Sequence, residues 1–345
     1  MKFCLQLAPY MPDAIDGGPR VFAEVLQQAI TADRAGFESV SITEHHLINI
    51  LMMPAPLQFA TQIAAHTKRV NILTSVAVLP LHDMRVYAGE VVCADIFTGG
   101  RLMLGVGRGA FAYEMHRMGV PMEETQSRFN ESLDVLQALL SKEEVSWRGE
   151  HYQFDSLTIM PRPLTPGGPQ MMMAVLNPEG VYHCTKRGFH IQTTPLAGNH
   201  QLLLDQVESF GRAKAEMGAT GSSLTLSLSR VGLPCESDSQ IKSRLRSAEN
   251  YYARFDNVFT GPGRVSNGMI EPLPRQQTRA ELADSLLIGT PAEMIDKLSV
   301  YAELGIDRFI LSCNFGIDNS EVLEGIEMFA EEVAPFIDSA SDNAA

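Results

Sequence analysis

The sequence is short of positive charge: 27 Lys and Arg residues against 41 Asp and Glu leave a formal net charge of −14. A surface that binds nucleic acid or anionic lipid needs a basic footprint to release counterions or meet headgroups, so neither partner is expected. Long apolar runs are missing as well. No stretch approaches about 18 uninterrupted apolar residues, and the opening MKFCLQLAPYMPD lacks a basic flank followed by an apolar core, so neither a membrane span nor export is indicated. A cytoplasmic location is the expectation. Cys4, Cys93, Cys184, Cys235 and Cys313 are odd in number and have no CxxC spacing, which points to reduced thiols. With no HExxH, no carboxylate-rich cluster and no cysteine ligands, no metal site is expected. There is no internal repeat, and no GxGxxG follows a strand, so the chain offers no nicotinamide-dinucleotide site of that type.

What is present is a composition with 45% hydrophobic and 20% charged residues, enough for a large core. Short β-branched runs alternate with helical periodicities. Phe3 to Leu7 reads as a strand, followed by a helix whose Val21, Val25, Leu26, Ala29 and Ile30 share a face. Strands follow near 39–42, 70–78, 102–106, 171–175, 190–193, 224–231 and 308–311. Helices are expected near 57–66, 86–97, 129–140 and 201–217, and after the last strand. Eight such units joined by short parallel crossovers favour a (β/α)₈ TIM barrel with insertion segments over an open sheet.

A single domain is expected over 1–338, with insertions at about 145–170 and 250–279 and a flexible polar tail at 339–345. The first insertion reads as a hairpin or irregular excursion. The second mixes Gly, Pro, Asn and Arg without a sustained period, and reads as either a lid or an ordered surface loop.

In a TIM barrel the site lies at the C-terminal ends of the strands. There the sequence puts Glu44-His45-His46 after the second strand and Leu79-Pro80-Leu81-His82 after the third. Gly107-Arg108-Gly109 follows the fourth, and Asn177 to Gly180 the fifth. An arginine between glycines suits a phosphate, as does a helix N-terminus at Asn177 to Gly180, with Arg128 a second candidate cation. Each arginine also fits a surface ion pair. Adjacent His45 and His46 point in different directions, so at most one is expected to face a ligand, and a hydrogen-bonded structural histidine is the alternative. Met172-Met173-Ala174 reads as barrel filling.

AGFESVSITEHH, TSVAVLPLHDMRVYAGEVVCADIFTGGRLMLGVGRG and GTPAEMIDKLSVYAELGID, in this order after an initial MKF, resemble the bacterial luciferase-like flavin-dependent monooxygenases over nearly the whole chain. The resemblance implies an enzyme that takes FMNH₂ from a separate reductase. With O₂ as co-substrate, a C4a-hydroperoxyflavin would oxygenate a small organic substrate, by hydroxylation or Baeyer-Villiger insertion. His45 then corresponds to the catalytic histidine, with Glu44 orienting it. Arg108 and Arg128 match positions that hold the FMN phosphate, with Asn177 and Gly180 beside them, and Ala174 is a wall of the flavin site. Ser75-Val76 falls at a non-prolyl cis peptide beneath the flavin. Gly107 stands where the light-emitting subunit has a cysteine near the flavin C4a, so light emission is not implied. The family also implies a homodimer or related oligomer. Two alternatives stay open: an F420-dependent oxidoreductase, and a non-catalytic flavin-binding partner subunit, of which TPGGP at 165–169 and EMH at 114–116 are reminiscent.

Overall fold

A computed structural model describes residues 1–196 and 200–337, so the tail expected at 339–345 lies outside the described residues. In chain order, β1 (Lys2–Leu7) leads to α1 (Gly18–Ala35), β2 (Ser39–Ile42) to α2 (Pro56–His66), and β3 (Asn71–Val78) to α3 (Met84–Phe97). β4 (Leu102–Gly107) feeds the short α4 (Ala112–Arg117) and then α5 (Thr125–Ser141). A hairpin of β5 (Val145–Arg148) and β6 (Gln153–Leu157) precedes β7 (Gln170–Ala174) and α6 (Pro178–Lys186). β8 (His190–Thr193), α7 (His200–Met217), β9 (Leu226–Pro234) and α8 (Asp238–Phe259) follow. A second hairpin, β10 (Val265–Ser266) with β11 (Met269–Ile270), leads through α9 (Arg279–Ser285) to β12 (Leu287–Gly289) and α10 (Pro291–Glu303). The described chain then runs through β13 (Arg308–Ser312) and α11 (Asn319–Met328).

β1, β2, β3, β4, β7, β8, β9 and β13 pair in parallel around a ring, which closes where β8 meets β9, with Ile191 opposite Leu226. The eight strands expected from the sequence are these eight, and the fold is a TIM barrel. The three-residue β12 pairs with the far end of β9 as a ninth strand too short for periodicity to reveal. Both faces of the ring are covered, so a strand such as β13 is buried at every position. Outward residues such as Phe3 and Leu5 pack into the main core with the helices. Inward ones, Cys4, Leu73, Met103, Met172 and Ile310, form a separate packed layer inside the ring. Burial there pushes the Cys4 thiol up to about 11, consistent with a reduced, inert thiol. Met172 therefore fills the barrel, as expected.

One strand of the ring is irregular. The register of β3 against β4 shifts between Thr74 and Ala77, and the intervening Ser75–Val76 peptide is cis, as the resemblance implies. Gly105 on β4 makes room, since a Cβ there would lie 2.0 Å from the Thr74 carbonyl oxygen.

The segment 250–279 departs from expectation. Its first ten residues are not irregular but complete α8, whose Tyr251, Phe255 and Phe259 lie four apart on one face. The remainder is pinned. Asn257, fully buried, donates to the carbonyls of Arg264 (3.0 Å) and Glu271 (2.8 Å) and accepts from the Arg264 N–H (2.9 Å). Ile270 N–H donates to Asn49 Oδ1 at 3.0 Å, tying the hairpin to the loop after β2. Among the described residues no helix is long and apolar enough to cross a membrane.

Candidate functional site at the barrel mouth

The loop leaving β2 turns sharply, with Leu47 and Leu51 both at positive φ, and this splits the Glu44-His45-His46 triplet between two carboxylate networks. Glu44 is 2% exposed. Its Oε1 accepts from His46 Nε2 (3.0 Å) and His82 Nε2 (2.8 Å), and its Oε2 from the Val78 N–H (2.7 Å). Burial alone would raise the Glu44 carboxyl, but the hydrogen bonds from His46, His82 and Val78 outweigh it and hold the group below its ordinary value. The Glu44 hydrogen bond in turn raises His46 against its own desolvation.

His45 faces the other way. Its Nδ1 donates to Glu114 Oε2 at 2.8 Å, and its ring stacks on Phe111 at 4.3 Å between centroids. Glu114, on α4 and 5% exposed, also accepts from the His46 backbone N–H. The expected pairing of Glu44 with His45 is thus corrected: Glu114 orients His45, because Glu44 is consumed by His46, His82 and Val78. With Nδ1–H fixed on a carboxylate, the neutral ring keeps its lone pair on Nε2, which has no partner among the described residues.

His45 lines a cavity at the mouth. Gln6, Thr43, Ser75, Gln192 and Ser229 supply its polar floor, and Phe111, Tyr251, Tyr252, Phe255 and Phe259 its aromatic wall. Gln192 Nε2 donates to Ser75 Oγ at 2.6 Å, leaving a buried Oε1 with no partner among the described residues. Gly107 packs against Val76, next to Ser75 in the chain, since a Cβ there would lie 2.6 Å from Val76 Cγ2. Ala174 shares the inward face of β7 with Met172 and is exposed.

The expected phosphate residues each have a partner within the chain. Arg108 is exposed and reaches only Thr125 Oγ1, at 3.3 Å. Arg128 pairs with Glu124 at 2.8 Å and borders a different groove with His82, Arg85, His151 and Tyr152. Asn177 caps α6 by accepting the Gly180 N–H at 2.6 Å, so those two are partnered with each other. Gly180 is tightly enclosed: a Cβ there would lie 2.6 Å from Val175 Cγ1. Among the described residues no cluster of His, Cys, Asp or Glu could hold a metal ion.

A closed parallel barrel with a carboxylate-backed histidine in an aromatic cavity at the C-terminal ends of its strands is the layout of a TIM-barrel enzyme. Residues 1–308 match the model of the luciferase-like monooxygenases, and the chain belongs to that family. It is 26% identical over 325 residues to the oxygenase component of the flavin-dependent trigonelline monooxygenase of Acinetobacter baylyi, covering 92% of this chain and 90% of that protein. An F420-dependent glucose-6-phosphate dehydrogenase of Nakamurella multipartita is 25% identical, covering 94% and 95%. Among solved structures, monooxygenase RslO1 of Streptomyces bottropensis superposes with a TM-score of 0.84 at 23% identity, covering 97% of this chain and 99% of that one. The oxygenating constituent of 3,6-diketocamphane monooxygenase of Pseudomonas putida, in complex with FMN, superposes with a TM-score of 0.77 at 19% identity, covering 98% of each chain. Both likenesses concern the fold.

The cavity suits a flavin ring. The unpaired Gln192 Oε1 is an acceptor for an N–H donor, and the polar floor around it suits the edge of a planar heterocycle with N–H and C=O groups. The sequence reading gave no site role to Glu114, Phe111, Gln192 or the α8 aromatics. Only the four-residue spacing of Tyr251, Phe255 and Phe259 was there to be noticed.

Proposed function

We propose that this chain is the oxygenase of a two-component system that uses FMNH₂ from a separate reductase, with O₂, to oxygenate a small organic substrate. The observation that carries the reading is the Glu114-backed His45 beside Ser75 and Gln192 in one aromatic cavity. FMNH₂, when bound, supplies the two electrons that let one oxygen atom of O₂ enter the substrate while the other leaves as water.

The chain's residues do the rest. His45 Nε2 holds or moves a proton at the reacting centre, and Glu114 fixes its tautomer and stabilises the imidazolium when it forms. Phe111, Phe255 and Phe259 keep water from the cavity, which strengthens each polar contact inside it. Gln192 and Ser75 hold the polar edge of the ring. Arg108 holds the phosphate, with Arg128, Asn177 and Gly180 ordering the segments around it, and Val76, Gly107 and Ala174 line the flavin site. A homodimer is the proposed assembly and the cytoplasm the proposed location.

The protein, supplied anaerobically with FMNH₂ and then with ¹⁸O₂, should give a product carrying one labelled oxygen. Turnover of F420 with no label incorporated would overturn the reading in favour of hydride transfer. In the active system His45→Ala should lower oxygenation about 10²- to 10⁴-fold without changing FMN affinity. Arg108→Ala should instead weaken FMN binding about 10-fold or more, by removing a charge-assisted contact.

A further inference from the structure

Three arginines are deeply buried, and two of them have an acidic partner. Arg308 is matched by Glu38 at 3.0 Å, and Arg244 by Glu321 at 3.4 Å together with the Pro234 carbonyl. Arg230, on β9 and 6% exposed, has none among the described residues. Its Nη1 donates to the Leu196 carbonyl, while its Nε is enclosed with no hydrogen-bond partner and its Nη2 has none among the described residues. With Nε closed off by protein, the part of the guanidinium left for a ligand is its Nη2 end. The N–H donors there match a carboxylate oxygen.

Arg230 lines the same cavity as His45, and no Asp, Glu or Lys lines it among the described residues. A buried guanidinium without a counter-charge is unfavourable, and the cavity offers one charge of fixed sign. The complement is therefore a group with one negative charge. A phosphate monoester, carrying nearly two charges, would be left half neutralised. The rest of the wall belongs to Phe111 and to the α8 face of Tyr251, Phe255 and Phe259, whose rings stack along the helix at 6.2 and 5.4 Å. A flat apolar body fits that wall.

We propose that the substrate is an aromatic carboxylic acid, its carboxylate received by Arg230 and its ring laid against Phe111 and the α8 aromatics in the cavity that contains His45. This deepens the oxygenase reading and rests on it for the reaction, though not for the binding. The test is calorimetric titration of the purified protein, without flavin and with FMN, using benzoate and 4-hydroxybenzoate against the matching neutral amides. The native protein should bind at least one of the acids ten-fold or more tightly than its amide. Arg230→Gln should erase that preference, and Arg230→Lys, which keeps the charge but not the planar guanidinium, should retain part of it.

Equal affinity for acid and amide, no detectable binding of either acid, or a preference that survives in Arg230→Gln would each overturn the proposal. So would a loss confined to FMN affinity, which would assign Arg230 to the cofactor. If Arg230→Gln does not fold, the acid-against-amide comparison on the native protein decides. The oxygenase reading fails separately: carboxylate binding that depends on Arg230, with no labelled product from FMNH₂ and ¹⁸O₂, sinks that reading and supports the binding site.

Discussion

The two carboxylates of the mouth, Glu44 and Glu114, divide between them the three histidines His45, His46 and His82, and the division sets what single substitutions do. Glu114→Gln keeps the shape of the side chain but replaces the carboxylate that accepts the His45 Nδ1–H with an amide. Oxygenation should fall by about ten-fold or more, less than for His45→Ala, with FMN affinity unchanged. Undiminished oxygenation would reduce Glu114 to a packing role. His46 gives a separate signature in stability. Glu44 raises it, with Glu114 adding a smaller push and burial opposing both. Its contribution is therefore complete below the ordinary histidine value of about 6.5 and is lost as pH rises through the elevated folded value. The lowered Glu44 works in the opposite direction: its contribution is complete above the ordinary carboxylate value and is lost as pH falls through its depressed one. Melting temperatures of native protein and His46→Gln, measured from pH 6 to 9, should therefore converge as pH rises. Gly107 makes the third case at this scale. Gly107→Cys should cost about 1–3 kcal/mol through overpacking, because its Cβ meets Val76 Cγ2, and Val76→Ala in the same chain should recover most of that.

At the scale of elements, α8 and the hairpin after it form one tethered unit. Asn257→Ala removes the side chain that holds the backbone groups of the exposed residues Arg264 and Glu271, at about 0.5–1.5 kcal/mol for each hydrogen bond lost. Limited proteolysis should then cut within 260–274 well before the barrel; unchanged protection there would mean the Asn49 contact suffices alone. The same unit marks where the sequence was least legible. Strands such as Val70 to Val78 announced themselves by β-branched runs, and α1 by the recurrence of Val21, Val25 and Ala29. Residues 250–259 did not, because the polar Asn250, Arg254 and Asp256 interrupt the aromatics, and the Gly and Pro of 261–274 made the whole stretch read as loop. His45 was legible through its neighbours, whereas its partner Glu114 lies 69 residues away, a distance across which only the closed barrel brings them together.

For the whole molecule, the net charge of −14 and the Arg230 guanidinium of the cavity act in opposite senses on an anionic substrate. The overall field repels it at long range, and Arg230 holds it at contact. Raising ionic strength should therefore speed association of an aromatic carboxylate by screening the repulsion, with the matching amide unaffected. Stopped-flow on-rates for the pair would show it, and a slower carboxylate on-rate in salt would contradict it.

The walls of the cavity come from Phe111 in the loop after β4 and from the last turns of α8, while the ring supplies floor residues such as Gln6 and Ser75. Inheritance can therefore act on the two separately. Exchanging Phe255 or Phe259 for a smaller or more polar residue leaves every strand pairing of the barrel in place, so a lineage can acquire a new substrate in single steps without passing through an unfolded ancestor.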